Sequence, residues 1–220
     1  ADQRVRMAAQ FELVKRKDYE LLLEVATSDK ELFARLHAIW GLGQLTRAKE
    51  GEVAPLFDLL NDASPHIKAQ TAKVLGEAKA KEAANQLIQL LADESSSVQF
   101  FATEALGKLS NPAAFQPLIA LLGKIEDQDP HLRHAIILAL SKLNQETALA
   151  NLKDHPSTHV RIGATVALRR MQSPKVTAFL NDESPLVQLE AARAINDDGG
   201  IPAALSALAT SLNTSKHQNE

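Results

Sequence analysis

The chain has 220 residues, no cysteine, 23% charged residues and a formal net charge of −3. Without thiols there is no disulfide, no thiolate metal ligand, no cysteine nucleophile and no haem attached through cysteines. A balanced, faintly acidic charge argues against the broad basic footprint of a nucleic-acid binder, and nothing approaches the roughly 20 apolar residues of a membrane span or the pattern of a signal peptide.

Taken in chain order, the segments that read as helices are of two kinds. One kind opens on turn or cap residues and recurs as "DQRVRMAAQFEL", "DKELFARLHAIWGLG", "DASPHIKAQTAKVLG", "DESSSVQFFATEALG", "DPHLRHAIILALS", "HPSTHVRIGATVALR" and "DESPLVQLEAARAIN". The leading Asp, Ser and Pro satisfy or avoid the orphan amides of a helix start. Each segment then carries an apolar or small residue at one slot, another four later and an aliphatic one eight later. The first slots are Val5, Ala34, Ile67, Val98, Leu132, Val160 and Val187; the second are Ala9, Ala38, Thr71, Ala102, Ile136, Ala164 and Ala191. The third are Leu13, Leu42, Leu75, Leu106, Leu140, Leu168 and Ile195. Between them lie segments of the second kind, among them "DYELLLEVA", "EVAPLFDLL", "EAANQLIQLL", "AAFQPLIALL" and "PAALSALATSL", whose leucines follow the helical period. Successive first slots are about 30 residues apart, so the unit is a helical hairpin repeated along the chain. The expected fold is all-α: a right-handed α-solenoid of about seven stacked hairpins over residues 1–213, with residues 214–220 a frayed polar tail.

The recurring pattern, an Asp, then V-R-x-x-A-x-x-x-L-G, resembles HEAT repeats and armadillo-type superhelices. Its short period resembles the bacterial HEAT-like class of phycobilin lyases. "VRMAAQFEL", "ARLHAIWGLGQL" and "EAARAINDDGGIPAAL" resemble, more narrowly, the HEAT segment of large bacterial proteins that also carry a dehydrogenase-like propeller and a cytochrome c module. That resemblance implies a piece of a multidomain protein of the periplasm or cell envelope. The sequence opens and closes in half-repeats, which on this reading places neighbours on both sides.

In HEAT solenoids the second helix of each hairpin lines the concave surface, and about 100° per residue locates its open flank at the third, sixth and tenth positions after the first slot. These positions hold Phe11, His37, Trp40, Lys73, Phe101, Lys108, Leu138, Lys142 and Arg170, an aromatic start followed by a mildly basic edge. Trp40 is the only tryptophan. A rigid ring with one polar N–H suits an interface anchor, although filling a gap between helices would also favour it. The residue after the first slot is cationic in five of seven repeats: Arg6, Arg35, Lys68, Arg133 and Arg161. With acids recurring in the turns at Asp29, Asp62, Asp93 and Asp182, these cations are expected to form a ladder that pins repeat to repeat, in preference to an anion-binding row.

Chemistry is sparse. His131 with His134, and His155 with His159, have helical metal-ligand spacing but no third ligand positioned by sequence. There is no phosphate loop, dinucleotide fingerprint, calcium loop or nucleophile–base arrangement. The expectation is therefore a non-catalytic scaffold with no cofactor and no metal, a monomer whose partner is a protein segment or a neighbouring domain of the same chain. Two alternatives stay open: handling of a chromophore or haem, with His37 and Trp40 against a flat ring, and a plain spacer between enzymatic domains.

Overall fold

The computed structural model describes residues 2–125, 128–197 and 200–214. Those residues form helices and turns without a strand, and the protein is an all-α solenoid of helical hairpins. The tail expected at 214–220 lies, from residue 215 on, outside the described residues. The chain divides into two compact units, residues 1–114 and 115–220.

In the first unit the long helices are α1 (Gln3–Arg16), α3 (Leu32–Arg47), α4 (Pro65–Glu77) and α6 (Ser96–Leu109). Between them run α2 (Tyr19–Ser28), a 3-10 helix (Ala54–Asn61) and α5 (Ala84–Gln89), the last flanked by 3-10 turns at Lys81–Ala83 and Leu90–Ala92. Each long helix packs on the next, α1 on α3, α3 on α4 and α4 on α6. In the second unit α7 (Phe115–Ile125), α9 (Glu146–Ala150, continued as 3-10 over Asn151–Asp154) and a 3-10 helix at Pro174–Phe179 alternate with the long α8 (Pro130–Lys142), α10 (Thr158–Arg170) and α11 (Pro185–Asn196). A 3-10 turn at Pro202–Ala204 leads into α12 (Leu205–Thr214).

Local chemistry sets these boundaries. The Asp2 carboxylate accepts the Arg4 amide at 2.7 Å, Asp129 accepts that of Leu132 at 2.9 Å, and proline opens α4, α8 and α11, where a missing N–H costs nothing. Six long helices end on a left-handed residue that is not glycine: Lys17, Lys49, Lys79, Ser110, Asn144 and Gln172, with φ between 52 and 60°. At four of these corners the next amide reaches back to a carbonyl five residues earlier, as Ala80 does to Leu75 at 3.0 Å. That bond closes a Schellman turn and satisfies an otherwise bare helix end. Two of the shorter helices, Ala54–Asn61 and Pro174–Phe179, are more tightly wound than the leucine spacing alone implied, because runs of six to eight residues give α-helical nucleation little return.

The core sits where the repeat alignment places it. In α4, α6, α8, α10 and α11 all three slots, from Ile67, Thr71 and Leu75 to Val187, Ala191 and Ile195, are at most 1% exposed. Burying one such aliphatic side chain contributes about 1.5–3 kcal/mol. In α1 the pattern breaks: Val5 is 60% exposed, Ala9 is exposed and Leu13 is half-buried. Where α4 crosses α6, Gly76 faces Ala105 so closely that an added Cβ would lie 2.6 Å from the Ala105 Cα.

Candidate functional site

The flank of the long helices in residues 1–114 carries a row of side chains that touch one another in two groups. It begins on α1, where Gln10 points into the contact with α3 and its Oε1 lies 2.7 Å from His37 Nδ1. An amide oxygen only accepts, so this nitrogen carries the proton. The His37 ring meets Trp40 edge-on, with centroids 4.9 Å apart and planes at 73°. The Trp40 Nε1–H donates to Gln70 Oε1 on α4 at 2.9 Å. One turn further along α4, the Lys73 ammonium lies 5.9 Å from the centre of the Phe101 ring on α6, which in turn meets Phe100 edge-on at 5.3 Å. Trp40, Gln70, Lys73 and Phe101 are all half-buried, fixed at one side and open at the other.

His37 departs from its expected place on an open groove floor. It is buried, at 8% exposed, between Gln10 and Trp40. Helix-wheel arithmetic gives a direction from its own axis; it does not show that α1 reaches across to cover that direction. Burial, reinforced by the positive charge of Arg6, lowers the imidazole below its usual range, so the ring is neutral at pH 7. Phe11, by contrast, is 52% exposed. Neither Gln10 nor Phe33 was singled out by the repeat pattern. Gln10 follows a core slot, at a position that the later repeats fill with Ile39, Ala72, Thr103, Ile137, Thr165 and Ala192, and the Phe33 ring carries the Arg6 guanidinium 5.0 Å above it.

Lys108 on α6 is half-buried. In residues 115–220 the equivalent positions are of different character: Leu138 is half-buried, Lys142 and Arg170 are exposed, and the small Ala135 and Gly163 are buried. No aromatic stands at these positions, so the aromatic strip belongs to the first unit alone.

Arg35, Lys68 and Arg161 each meet a turn acid one hairpin on. Arg35 binds Asp62 at 2.5 Å and also donates to the Ala26 carbonyl at 2.8 Å. Lys68 binds Asp93, and Arg161 grips Asp182 through two nitrogens at 2.8 and 3.1 Å. Asp62 and Asp93 feel burial that raises their carboxyls, but hydrogen bonds and charge from Arg35 and Lys68, with the Ser64 and Ser95 amides, outweigh it and hold both below the usual carboxylate range. Asp29 does something different: its carboxylate accepts the Glu31 amide at 2.7 Å. Arg6 and Arg133 both stand half-buried on their helices. Among the described residues, no group of three or more His, Asp or Glu side chains is arranged to hold a metal ion.

The fold is that of a helical-repeat solenoid, similar to HEAT and armadillo arrays. Residues 53–124 match the family model of HEAT repeats. Deoxyhypusine hydroxylase of Saccharomyces cerevisiae is 29% identical over 168 residues, covering 69% of this chain and 48% of that protein, so the chain spans about half the length of the curated relative it matches. Among solved structures, the complex of CpcE and CpcF of phycocyanin lyase from Nostoc sp. PCC7120 superposes with a TM-score of 0.53 at 19% identity, over 97% of this chain and 90% of that one. A designed armadillo repeat protein in complex with the peptide (KR)4 superposes with a TM-score of 0.52 at 18% identity, over 87% of this chain and 99% of that one. At these identities the likeness is one of fold.

Proposed function

We propose that the chain is a non-catalytic protein-interaction module that takes a protein segment along the flank formed by α1, α3, α4 and α6. The observation that carries this reading is the rigid, half-open strip from Trp40 to Phe101. Its polar groups already satisfy one another: the indole N–H is bonded to Gln70, and the imidazole is neutral and bonded to Gln10. What remains for a visitor is ring surface, the open Phe11 and the ammonium of Lys73, which is contact chemistry and not bond-making chemistry. A tryptophan held in one rotamer by a hydrogen bond costs little ordering on binding, the condition under which a single aromatic dominates an interface. A peptide carrying an apolar anchor beside an acidic residue matches this surface, because the anchor covers the rings while the acid meets Lys73.

The test is selection from a displayed library of random extended peptides on the wild-type chain, followed by titration of the winners. Polarisation of a fluorescently labelled peptide reads occupancy in the wild type and in every variant, including those that lack Trp40, the sole tryptophan. Trp40→Phe and Phe101→Ala should each weaken the selected peptides by about 2 kcal/mol or more, some thirtyfold, with the helical signal unchanged. Winners that bind both variants as tightly as the wild type would remove the strip from the function.

A further inference from the structure

Trp40, Lys73 and Glu104 hold the same place on α3, α4 and α6, six residues past the first slot. The helices that carry them are packed in that order, α3 on α4 and α4 on α6, and all three side chains are half-buried. Two of the three bear charge that the fold leaves without a counter-charge. The Lys73 ammonium meets the Phe101 ring and no carboxylate, and among the described residues Glu104 has neither an ion pair nor a side-chain hydrogen bond. Reach is not the obstacle, because Arg47 of α3 and Glu77 of α4 do close on each other across the neighbouring helix contact, at 2.6 Å. Lys73 lies on Phe101 instead, and Lys108, four residues past Glu104 on the same helix, does not close on that carboxylate either. A half-desolvated ion without a counter-charge raises the free energy of the empty surface, and an opposite charge brought by a visitor removes that cost.

We infer that Glu104 decides which segments the strip accepts: beside the apolar anchor and the acid, the bound segment carries a basic residue that meets Glu104. This inference rests on the strip being the binding surface, and it adds the order and spacing of the charges. Packed helices lie about 8–10 Å apart and an extended chain advances about 3.3 Å per residue, so successive helices meet about every third residue of the visitor. The segment therefore sets its anchor over Trp40, an acid three residues on against Lys73, and a base three residues further against Glu104, in either chain direction. A wholly acidic segment puts like charges together at Glu104, and a wholly basic one does so at Lys73. The pair thus selects against both and for one order of charge.

Selection from the displayed library on two full-length chains tests this, one the wild type and the other the double reversal Lys73→Glu with Glu104→Lys. Winners on the wild type should align as anchor, acid and base at three-residue steps. Winners on the reversed chain should keep the anchor and exchange the acid and the base. A labelled wild-type winner, and a copy of it with the base replaced by glutamine, are then titrated by polarisation. Glu104→Gln should weaken the first peptide roughly fivefold, less so in added salt, and leave the second unchanged. If Trp40→Phe weakens the winners but the reversed chain selects the same order of charge, the strip stands and the role of Glu104 is overturned. Equal losses for both peptides on Glu104→Gln overturn it as well. Winners indifferent to Trp40→Phe remove the strip and this inference with it. Should the double reversal disturb α4 or α6, seen as a changed helical signal, the Glu104→Gln titration decides alone.

Discussion

Replacing Arg161 by alanine isolates what the ladder contributes. The Arg161 and Asp182 side chains are 4% and 2% exposed, and the guanidinium also donates to the His155 carbonyl at 2.7 Å and to Glu183 at 3.1 Å. Removing it strands a buried carboxylate, which costs about 3–5 kcal/mol where no other donor helps. Here the Ser184 amide still donates to one Asp182 oxygen at 2.8 Å, so the lower end, about 3 kcal/mol, is expected. The Arg47–Glu77 pair is the internal control. Its contact is shorter, 2.6 Å, but its partners are 42% and 30% exposed, and Arg47→Ala should cost only about 0.5 kcal/mol. Urea unfolding followed by far-UV circular dichroism gives both values, and amide exchange in α10 and α11 locates the loss. Arg161→Met combined with Asp182→Leu should recover most of the stability, because no charge is then left unpaired. If Arg161→Ala costs no more than Arg47→Ala, burial is not what gives the ladder its strength and the reasoning fails.

Three further outcomes are expected. His37 is lowered in the folded chain relative to its unfolded value near about 6.5, so its contribution is complete above that pH and is lost as pH falls through the lower folded value; the α1–α3 contact should loosen there, seen as a shift in Trp40 emission that His37→Gln abolishes. Gly76→Ala drives a methyl against the Ala105 backbone and should cost about 1–3 kcal/mol in urea unfolding, whereas Gly43→Ala meets side-chain atoms alone, of Val74 and Arg47, and should cost less. Lys79→Gly relieves a left-handed lysine at φ 56° and should raise the urea midpoint by an amount worth up to about 1 kcal/mol; an unchanged or lower midpoint would show that the corner is not strained.

The long helices and their core slots could be read from the residues because burial there is dictated by a neighbour of the same repeat: Ile67, Val98, Leu132, Val160 and Val187 share one environment and one chemistry. The same rule misplaces Val5 and Ala9, whose chemistry is that of a core position and whose surroundings are not. The corners were illegible for another reason. A left-handed residue usually announces itself as glycine, and here lysine, serine, asparagine and glutamine take the place, with the returning bond from the next amide holding it at the three lysines and the glutamine. The 3-10 winding of Ala54–Asn61 was hidden as well, because Leu56, Leu59 and Leu60 fit either helical period over so short a run. At the aromatic strip the sequence could point to Trp40 but not to Gln10 or Gln70, since a glutamine becomes informative only once the ring it holds is in place.

The tightly wound helices have a consequence for economy of chain. Eight residues at about 2.0 Å each bridge about 16 Å, nearly the 19–20 Å that the thirteen residues of α4 cover at about 1.5 Å. With three residues per turn, side chains three apart stack directly above one another, as Leu56 over Leu59 and Val176 over Phe179. In Ala54–Asn61 a second seam, Phe57 under the buried Leu60, adjoins the first, so two sides anchor the segment and only the third, which carries Asp58 and Asn61, stays open to substitution without disturbing what lies beneath.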